Sequence, residues 1–346
     1  METLLNEREK NILRLIIQQF ILTASPVGSR NISKRFQVGL SPATVRNIMS
    51  DLEESGFINH PHTSAGRMPT DKGYRVYVDS LMELEHLNKI DQRKIKHSFD
   101  QPFSEAEELL TLTSKLLSSI TNQIACVLYP SLETGILEKI QLVPISSTRL
   151  LVVVSIKSGL VKTITLEYNT EFEEGKILSV QQLLNERLSG LSFSEIRATF
   201  PERFRDVDQK EKPVMTLFLD SVDKIFFDTK KEDKLFLSGT RNLIKQPEFE
   251  TPGRIQSVIE LIEEKEVIVH ILEQSSEGKG GEVSVSIGRE IPSMKMEDYS
   301  VITKEYKFGE SVGTLGIVGP KRMEYAKIIA IVDYVSTILT DYFTHR

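Results

Sequence analysis

The sequence predicts an α+β protein with more than one domain. Its 346 residues exceed the usual length of one domain, and 40% hydrophobic with 27% charged residues is an ordinary globular composition. Helical periodicity dominates the first 86 residues, whereas strand-like and helical segments alternate after about residue 124. These two observations separate a helical N-terminal part from a mixed C-terminal part.

Three short helices are predicted first, over about residues 7–22, 29–36 and 42–54. Asn6 and Glu9 form a capping-box pattern before the first helix. Ser41 is suited to cap the third helix, with Pro42 at its first position and Gly56 at the left-handed position after its end. Three helices followed by FINH, a loop and RMPT have the order of a winged helix-turn-helix.

The third helix is predicted to face DNA. Its apolar residues recur at helical spacing, and its acidic residues are confined to the last turn. Because its N-terminal half carries no negative charge, the helix can present that half to an anion such as DNA. Arg46 can hydrogen-bond to a guanine edge, and Asn47 can hydrogen-bond to an adenine edge. The expected recognition residues are Ser41, Ala43, Thr44, Arg46, Asn47 and Ser50.

The loop HPHTSAG, followed by Arg67, is predicted to be a wing tip. Small residues there would let the backbone approach a phosphate or a groove wall, with Arg67 inserted beside it. The expected wing residues are His60, His62, Thr63, Ser64, Gly66 and Arg67, and the expected DNA-backbone residues are Arg30, Lys34, Lys72 and Arg75. The alternative, a plain turn between two strands, stays open.

Charge supports this placement of the DNA site. The net charge is −6, but residues 30–77 carry seven basic and four acidic side chains, which leaves +3 there and −9 elsewhere. An Lys72-containing helix, capped by Thr70, follows the wing, and the charged segment 87–102 is predicted to be a linker.

The C-terminal part opens with a helix from a capping box at Ser104 and Glu107 to about Ile124. The strand-like segments IACVLYP, EKIQLVPI, RLLVVVSI and LVKTITLEY follow. Residues 199–234 resist assignment, and an amphipathic helix over about residues 321–343 closes the chain.

Several other functions are disfavoured. Cys126 lies in an apolar run and is expected to be a buried hydrophobe. His60 and His62 lack further ligands at a useful spacing, GTLGIVGP lacks the Lys-Ser/Thr of a phosphate loop, and no recognisable catalytic arrangement occurs. We therefore expect no metal, no cofactor and no catalysis. The N-terminus does not have the order of a signal peptide, which favours a cytoplasmic protein without a membrane partner.

The segments ATVRNIMSDLEESGFI and HPHTSAGRMPTDKGYRVYVD resemble the HrcA family of bacterial heat-inducible transcription repressors. NERLSGL, VSIGRE and GTLGIVGPKRMEYAKIIAIVDYVS are similar to the same family, whereas residues 200–234 match no part of it. The resemblance implies a winged-helix domain over 1–86, a linker over 87–102, a GAF-like domain over 103–145 and 235–346, and an inserted dimerisation segment over 146–234.

The resemblance also implies a function. A homodimer would bind an inverted-repeat, CIRCE-type operator in double-stranded DNA and repress groE and dnaK type chaperone operons, and the GroEL chaperonin would favour the active repressor. A second hypothesis is a winged-helix regulator with a small effector in the GAF-like domain, and an enzyme is a third. Against an effector, we expect no cavity with convergent polar groups in the C-terminal part.

Overall fold

The fold was taken from a computed structural model of the chain. It describes residues 5–36, 39–60, 66–101, 103, 106–130, 135–167, 174–206, 212–226, 234–276 and 281–344. Helices and strands are mixed along these stretches, so the predicted α+β class is confirmed. Within them, no helix has both the length and the apolar character needed to cross a membrane.

The helices are α1 (Glu7–Thr23), α2 (Ser29–Arg35), α3 (Pro42–Glu54), α4 (Asp71–Val76), α5 (Lys89–Phe99), α6 (Ala106–Thr121), α7 (Glu174–Leu188), α8 (Phe193–Arg203), α9 (Lys212–Phe226), α10 (Thr240–Ile244), α11 (Pro252–Glu263), α12 (Lys265–Ser276) and α13 (Tyr325–Thr344). A π-helical turn over Tyr77–Leu81 continues α4. Short 3-10 turns occur at Pro247–Phe249, Gly288–Glu290 and Met294–Met296.

The strands are β1 (Ile58–Asn59), β2 (Met68–Pro69), β3 (Ile124–Leu128), β4 (Leu137–Ser146), β5 (Arg149–Ile156), β6 (Val161–Glu167), β7 (Leu235–Ser238), β8 (Ser284–Ile287), β9 (Tyr299–Phe308) and β10 (Ser311–Pro320). They form a two-stranded ribbon β1-β2, a five-stranded sheet in the order β7-β3-β10-β9-β8 and a three-stranded sheet in the order β4-β5-β6.

The chain divides into two compact units. The first contains Met1–Val127, Leu235–Lys304 and Leu315–Ser336. The second contains Leu128–Lys234, Glu305–Thr314 and Thr337–Arg346.

The N-terminal helices form as their capping signals predict. Asn6 and Glu9 make a reciprocal capping box at α1, and the Ser41 hydroxyl accepts a hydrogen bond from the Thr44 N–H at 3.1 Å. Gly56 adopts a φ of 76°, and the Phe57 N–H donates to the Leu52 carbonyl at 2.9 Å, as in a Schellman motif. These caps fix where α3 starts and stops.

A shared apolar core holds α1 and α3 together. The buried side chains of α1 include Ile12, Leu13, Ile16 and Ile17. The buried side chains of α3 are Val45, Met49 and Leu52. Each fully buried side chain of this kind contributes roughly 1.5–3 kcal/mol, so the core fixes which face of α3 points outward.

In the second unit, the side chains of α7 complete one edge of the three-stranded sheet. The Asn185 amide exchanges two hydrogen bonds of 2.8 Å with the Ile140 backbone, and the Gln181 amide oxygen accepts from the Leu142 N–H at 2.8 Å. Strand edges carry unpaired backbone groups that favour pairing with other chains. The amides on α7 satisfy those groups along part of β4.

Several sequence predictions differ from the structure. The predicted linker contains α5, because Ile95 and Phe99 give this charged segment a buried stripe. Helix α6 ends at Thr121 and not near Ile124, which instead begins β3, and Ser104 lies outside the described residues. The unassigned region holds the end of α8 and all of α9. The last helix begins at Tyr325, four residues later than expected.

The predicted burial of Cys126 is confirmed. Its side chain has no exposed surface, and burial raises the pKa of the thiol to about 12. A protonated, inaccessible thiol is a packing residue and not a nucleophile.

Candidate nucleic-acid interface

The outer face of α3 is exposed along its whole predicted recognition surface. Exposed residues there are Ser41, Ala43, Thr44, Arg46, Asn47 and Ser50. Their exposure follows from the buried stripe on the opposite side of the helix. The structure therefore presents these side chains together, and their contact with DNA stays a prediction.

Arg46 and Asn47 are chemically available. In the part of the chain that the structure describes, neither side chain makes a hydrogen bond or an ion pair. By contrast, Ser41 and Thr44 share a hydroxyl hydrogen bond of 2.9 Å, so both are partly engaged in capping α3. The donors with most freedom to reach a base edge are thus those of Arg46 and Asn47.

Two of the predicted backbone-contact cations lie on α2. Arg30 and Lys34 are exposed, and neither has an internal ion pair among the described residues. Helix α2 packs against α3, the helix that carries the predicted recognition surface. Unpaired cations beside a groove-reading helix suit phosphate contacts.

Lys72, a third predicted cation, is used internally. Its ammonium group donates to the Ser55 carbonyl at 2.9 Å and lies 4.3 Å from the centre of the Phe57 ring. Ser55 is the C-cap residue of α3, and a positive charge at this end of a helix interacts favourably with the helix dipole. Lys72 is therefore better explained as a cap for α3 than as a phosphate contact.

Arg75, the fourth predicted cation, also has internal partners. Its guanidinium donates to Glu290, to Asp79 and to the Val285 carbonyl, the last at 2.7 Å. The hydrogen bond to Glu290 is the main reason that the pKa of Arg75 rises above its usual value. With these partners within the first unit, Arg75 attaches α4 to the segment around β8, and its contact with the DNA backbone stays a prediction.

His60 and Arg67, the first and last of the predicted wing residues, both pair with the carboxylate of Glu53. The Glu53 carboxylate, in the last turn of α3, pairs with the Arg67 guanidinium at 2.7 Å and with the His60 imidazole. Glu53 and Arg67 are only about a quarter exposed, at 23% and 25%. Sequence reasoning missed Glu53, because the residue looks like no more than part of an acidic helix end. His62, Thr63 and Ser64 lie outside the described residues.

Gly66 is required by internal packing. A side-chain carbon at this position would lie 2.7 Å from the carbonyl carbons of Pro26 and Val27, which is closer than real contacts allow. The neighbouring Arg67 exchanges backbone hydrogen bonds of 2.8 and 2.9 Å with Val27. The base of the predicted wing, here called the wing root, consists of His60 on one side and Gly66 and Arg67 on the other. Its Arg67 side is thus tied to the turn between α1 and α2. This close packing accounts for a glycine at position 66 without any contact to a phosphate.

A cavity of about 770 Å³ lies within the first unit beside α4. Contrary to the expectation, convergent polar groups from the C-terminal part line it. All four of its acidic residues pair with basic residues of the same lining: Asp71 with Lys321, Glu248 with Arg322, Glu297 with Arg289, and Asp298 with Arg254. A charged effector would have to break such pairs, so the cavity gives the small-effector hypothesis no direct support.

Comparison with known proteins identifies the family. The model described as HrcA protein C terminal domain matches residues 107–329. The heat-inducible transcription repressor HrcA of Chlorobium phaeobacteroides strain BS1 is 40% identical, over 97% of both chains. The chain belongs to the HrcA family. The repressor HrcA of Prosthecochloris aestuarii is also similar, with 38% identity over 98% of both chains.

HrcA membership confirms the family expected from the sequence and its class, a heat-inducible transcription repressor. A solved structure titled as a hypothetical protein at 2.2 Å resolution covers 99% of both chains, with a TM-score of 0.58 and 23% identity. That likeness shows a common fold and says nothing about function. The enzyme hypothesis gains no support from these HrcA relatives.

Proposed function

We propose that the protein is a dimeric, sequence-specific DNA-binding repressor that reads its operator with α3. The observation that carries this proposal is the exposed outer face of α3, on which Arg46 and Asn47 have no internal partner among the described residues. An arginine can bind a guanine edge with two hydrogen bonds, and an asparagine can do the same for adenine. HrcA relatives named as transcription repressors support the same function.

The proposed architecture follows the sequence prediction. Helices α1 to α3 with the β1-β2 ribbon would form a winged helix, and the C-terminal part a GAF-like domain with an inserted dimerisation segment. Arg30 and Lys34 would contact the DNA backbone, and the wing would lie beside the groove. Because a two-fold dimer presents two copies of α3 to one duplex face, the operator should be an inverted repeat.

Selection from random DNA by the purified protein tests this proposal. We expect enrichment of an inverted repeat of the CIRCE type, whose half-site centres are separated by whole helical turns. Enrichment of a single asymmetric site would contradict the dimer, and absence of any enrichment would contradict sequence-specific binding.

We also propose that GroEL sustains the active repressor of groE and dnaK type operons, on the family resemblance alone. Proteins are marginally stable, and a change of about 1.4 kcal/mol alters the ratio of folded to unfolded chains tenfold. Operator binding by the isolated protein should therefore fall on warming and recover when GroEL is added. Binding that survives heating and is indifferent to GroEL would contradict this part of the proposal.

A further inference from the structure

We propose that Glu53 is a positioning residue for DNA binding, which holds both sides of the wing root against α3. The inference rests on the proposed function of α3, and it assigns a role to a residue that no sequence pattern had singled out. Glu53 would act through Arg67 and His60 and would not itself touch DNA.

The register of the β1-β2 ribbon places the two partners of Glu53 at one level. Ile58 pairs with Pro69 and Asn59 with Met68, so His60 and Arg67 are the next residues on the two sides of the ribbon. Cross-strand neighbours lie about 5 Å apart, which is close enough for one side chain to reach both. The Glu53 carboxylate pairs with both His60 and Arg67 and so joins the two sides of the ribbon end.

The Glu53 carboxylate belongs to the helix that carries the recognition surface. Glu53 lies seven residues after Arg46, two helical turns along α3. Its ion pair with Arg67 therefore fixes the wing root to α3, while the Val27 bridge fixes the same root to the α1-α2 turn. With these two attachments, the position of Arg67 relative to the base-reading side chains is set before DNA arrives, which lowers the ordering cost of binding.

A competing model makes the opposite prediction. If Arg67 must leave Glu53 to bind a phosphate, Glu53 opposes binding, and its removal would strengthen affinity and steepen the salt dependence. Each phosphate contact contributes about 0.9 to the slope of log affinity against log salt concentration. If Glu53 positions the wing, its removal weakens operator binding and leaves that slope unchanged.

The test measures binding of Glu53→Gln by the full-length protein to its selected operator and to scrambled DNA at several salt concentrations. Glu54→Gln is the matched control, since Glu54 is exposed in the same helical turn and has no ion pair among the described residues. Both variants remove one negative charge near DNA, so long-range electrostatics cancel in the comparison. Thermal unfolding verifies that each variant is folded at the assay temperature.

We expect Glu53→Gln to bind operator about three- to tenfold more weakly than Glu54→Gln, because a charged hydrogen-bond pair at a partly exposed site is removed. Scrambled DNA should bind both variants equally. Glu53→Asp keeps the charge and should recover part of the affinity. Arg67→Ala should also weaken operator binding less in the Glu53→Gln background than in the wild type, since both changes break the same ion pair.

The outcomes separate the inference from the proposed function. If the wild-type protein selects no DNA sequence, the proposed function fails. If it binds operator selectively but Glu53→Gln matches Glu54→Gln, only the positioning role fails. Tighter binding with a steeper salt dependence in Glu53→Gln would establish the competing model instead.

Discussion

Helices α3 and α4 lie close together in the N-terminal part and both carry basic residues, but they use them in opposite ways. On α3, Arg46 is exposed and has no internal ion pair among the described residues. On α4, Arg75 contacts Glu290, and Lys72 contacts Ser55 and Phe57. Basic residues on and near the proposed recognition helix are thus of two kinds, and their internal partners distinguish them.

Contacts at α4 and at the end of α1 attach the N-terminal helices to the rest of the first unit. Lys321 pairs at 2.6 Å with Asp71, the first residue of α4. Arg322 donates to the Ile21 carbonyl at 2.7 Å and to Glu248 at 2.5 Å, which places a positive charge near the C-terminal end of α1. The comparison therefore predicts that α3 substitutions alter DNA binding, whereas α4 substitutions alter stability.

The largest expected effect is that of Arg46→Ala on operator binding. Removal of a bidentate contact to a base should cost about 1 to 3 kcal/mol per half-site. Isotherms on operator and on scrambled DNA provide the measurement, and the weakening should be confined to the operator. Equal weakening on both DNAs would mean that Arg46 contacts phosphate and not a base.

A smaller effect, on folding, is expected for Arg75→Ala. The Arg75 side chain is 28% exposed, and its removal leaves Glu290 without its main partner, so the free energy of unfolding should fall by about 1 to 2 kcal/mol. Chemical denaturation measures this change, with Arg30→Ala as the control at an exposed site without an internal ion pair among the described residues. A stable Arg75→Ala protein with a reduced salt dependence of DNA binding would instead favour the assignment of Arg75 to the DNA backbone.

The smallest effect distinguishes two lysines. Lys34→Gln should reduce the slope of log affinity against log salt by about 0.9 for each phosphate that the variant no longer neutralises, whereas Lys72→Gln should leave the slope nearly unchanged. The lysines differ in the Ser55 hydrogen bond and the Phe57 contact of Lys72. Titrations over a range of salt concentrations would show equal slopes for the two variants if internal contacts do not decide which cations reach DNA.

Sequence reasoning succeeded where the decisive interactions are local. The limits of α3 depend on Ser41, Pro42 and Gly56, which lie within or beside the helix and leave clear capping signals. Its exposed face follows from apolar periodicity alone. The amino-acid sequence is therefore enough to propose the recognition surface, although its contact with DNA stays a prediction.

Sequence reasoning did not find the internal partners that the fold brings together. In the sequence, Arg75 looks like a free cation that could contact DNA, because its partner Glu290 lies 215 residues further along the chain. Gly66 resembles a phosphate-facing residue because the close approach of Pro26 and Val27 leaves no sequence signal. Glu53 is overlooked for a related reason: its partners His60 and Arg67 lie just beyond the ends of a ribbon whose register the sequence does not reveal.

The most direct measurement is a side-by-side selection from random DNA by the wild-type protein and by Arg46→Ala. If α3 is the recognition helix, the wild type should select an inverted repeat, and Arg46→Ala should lose preference at one base pair in each half-site while the rest of the motif persists. An identical motif for both proteins would show that Arg46 reads no base, and that α3 is not the helix that determines specificity.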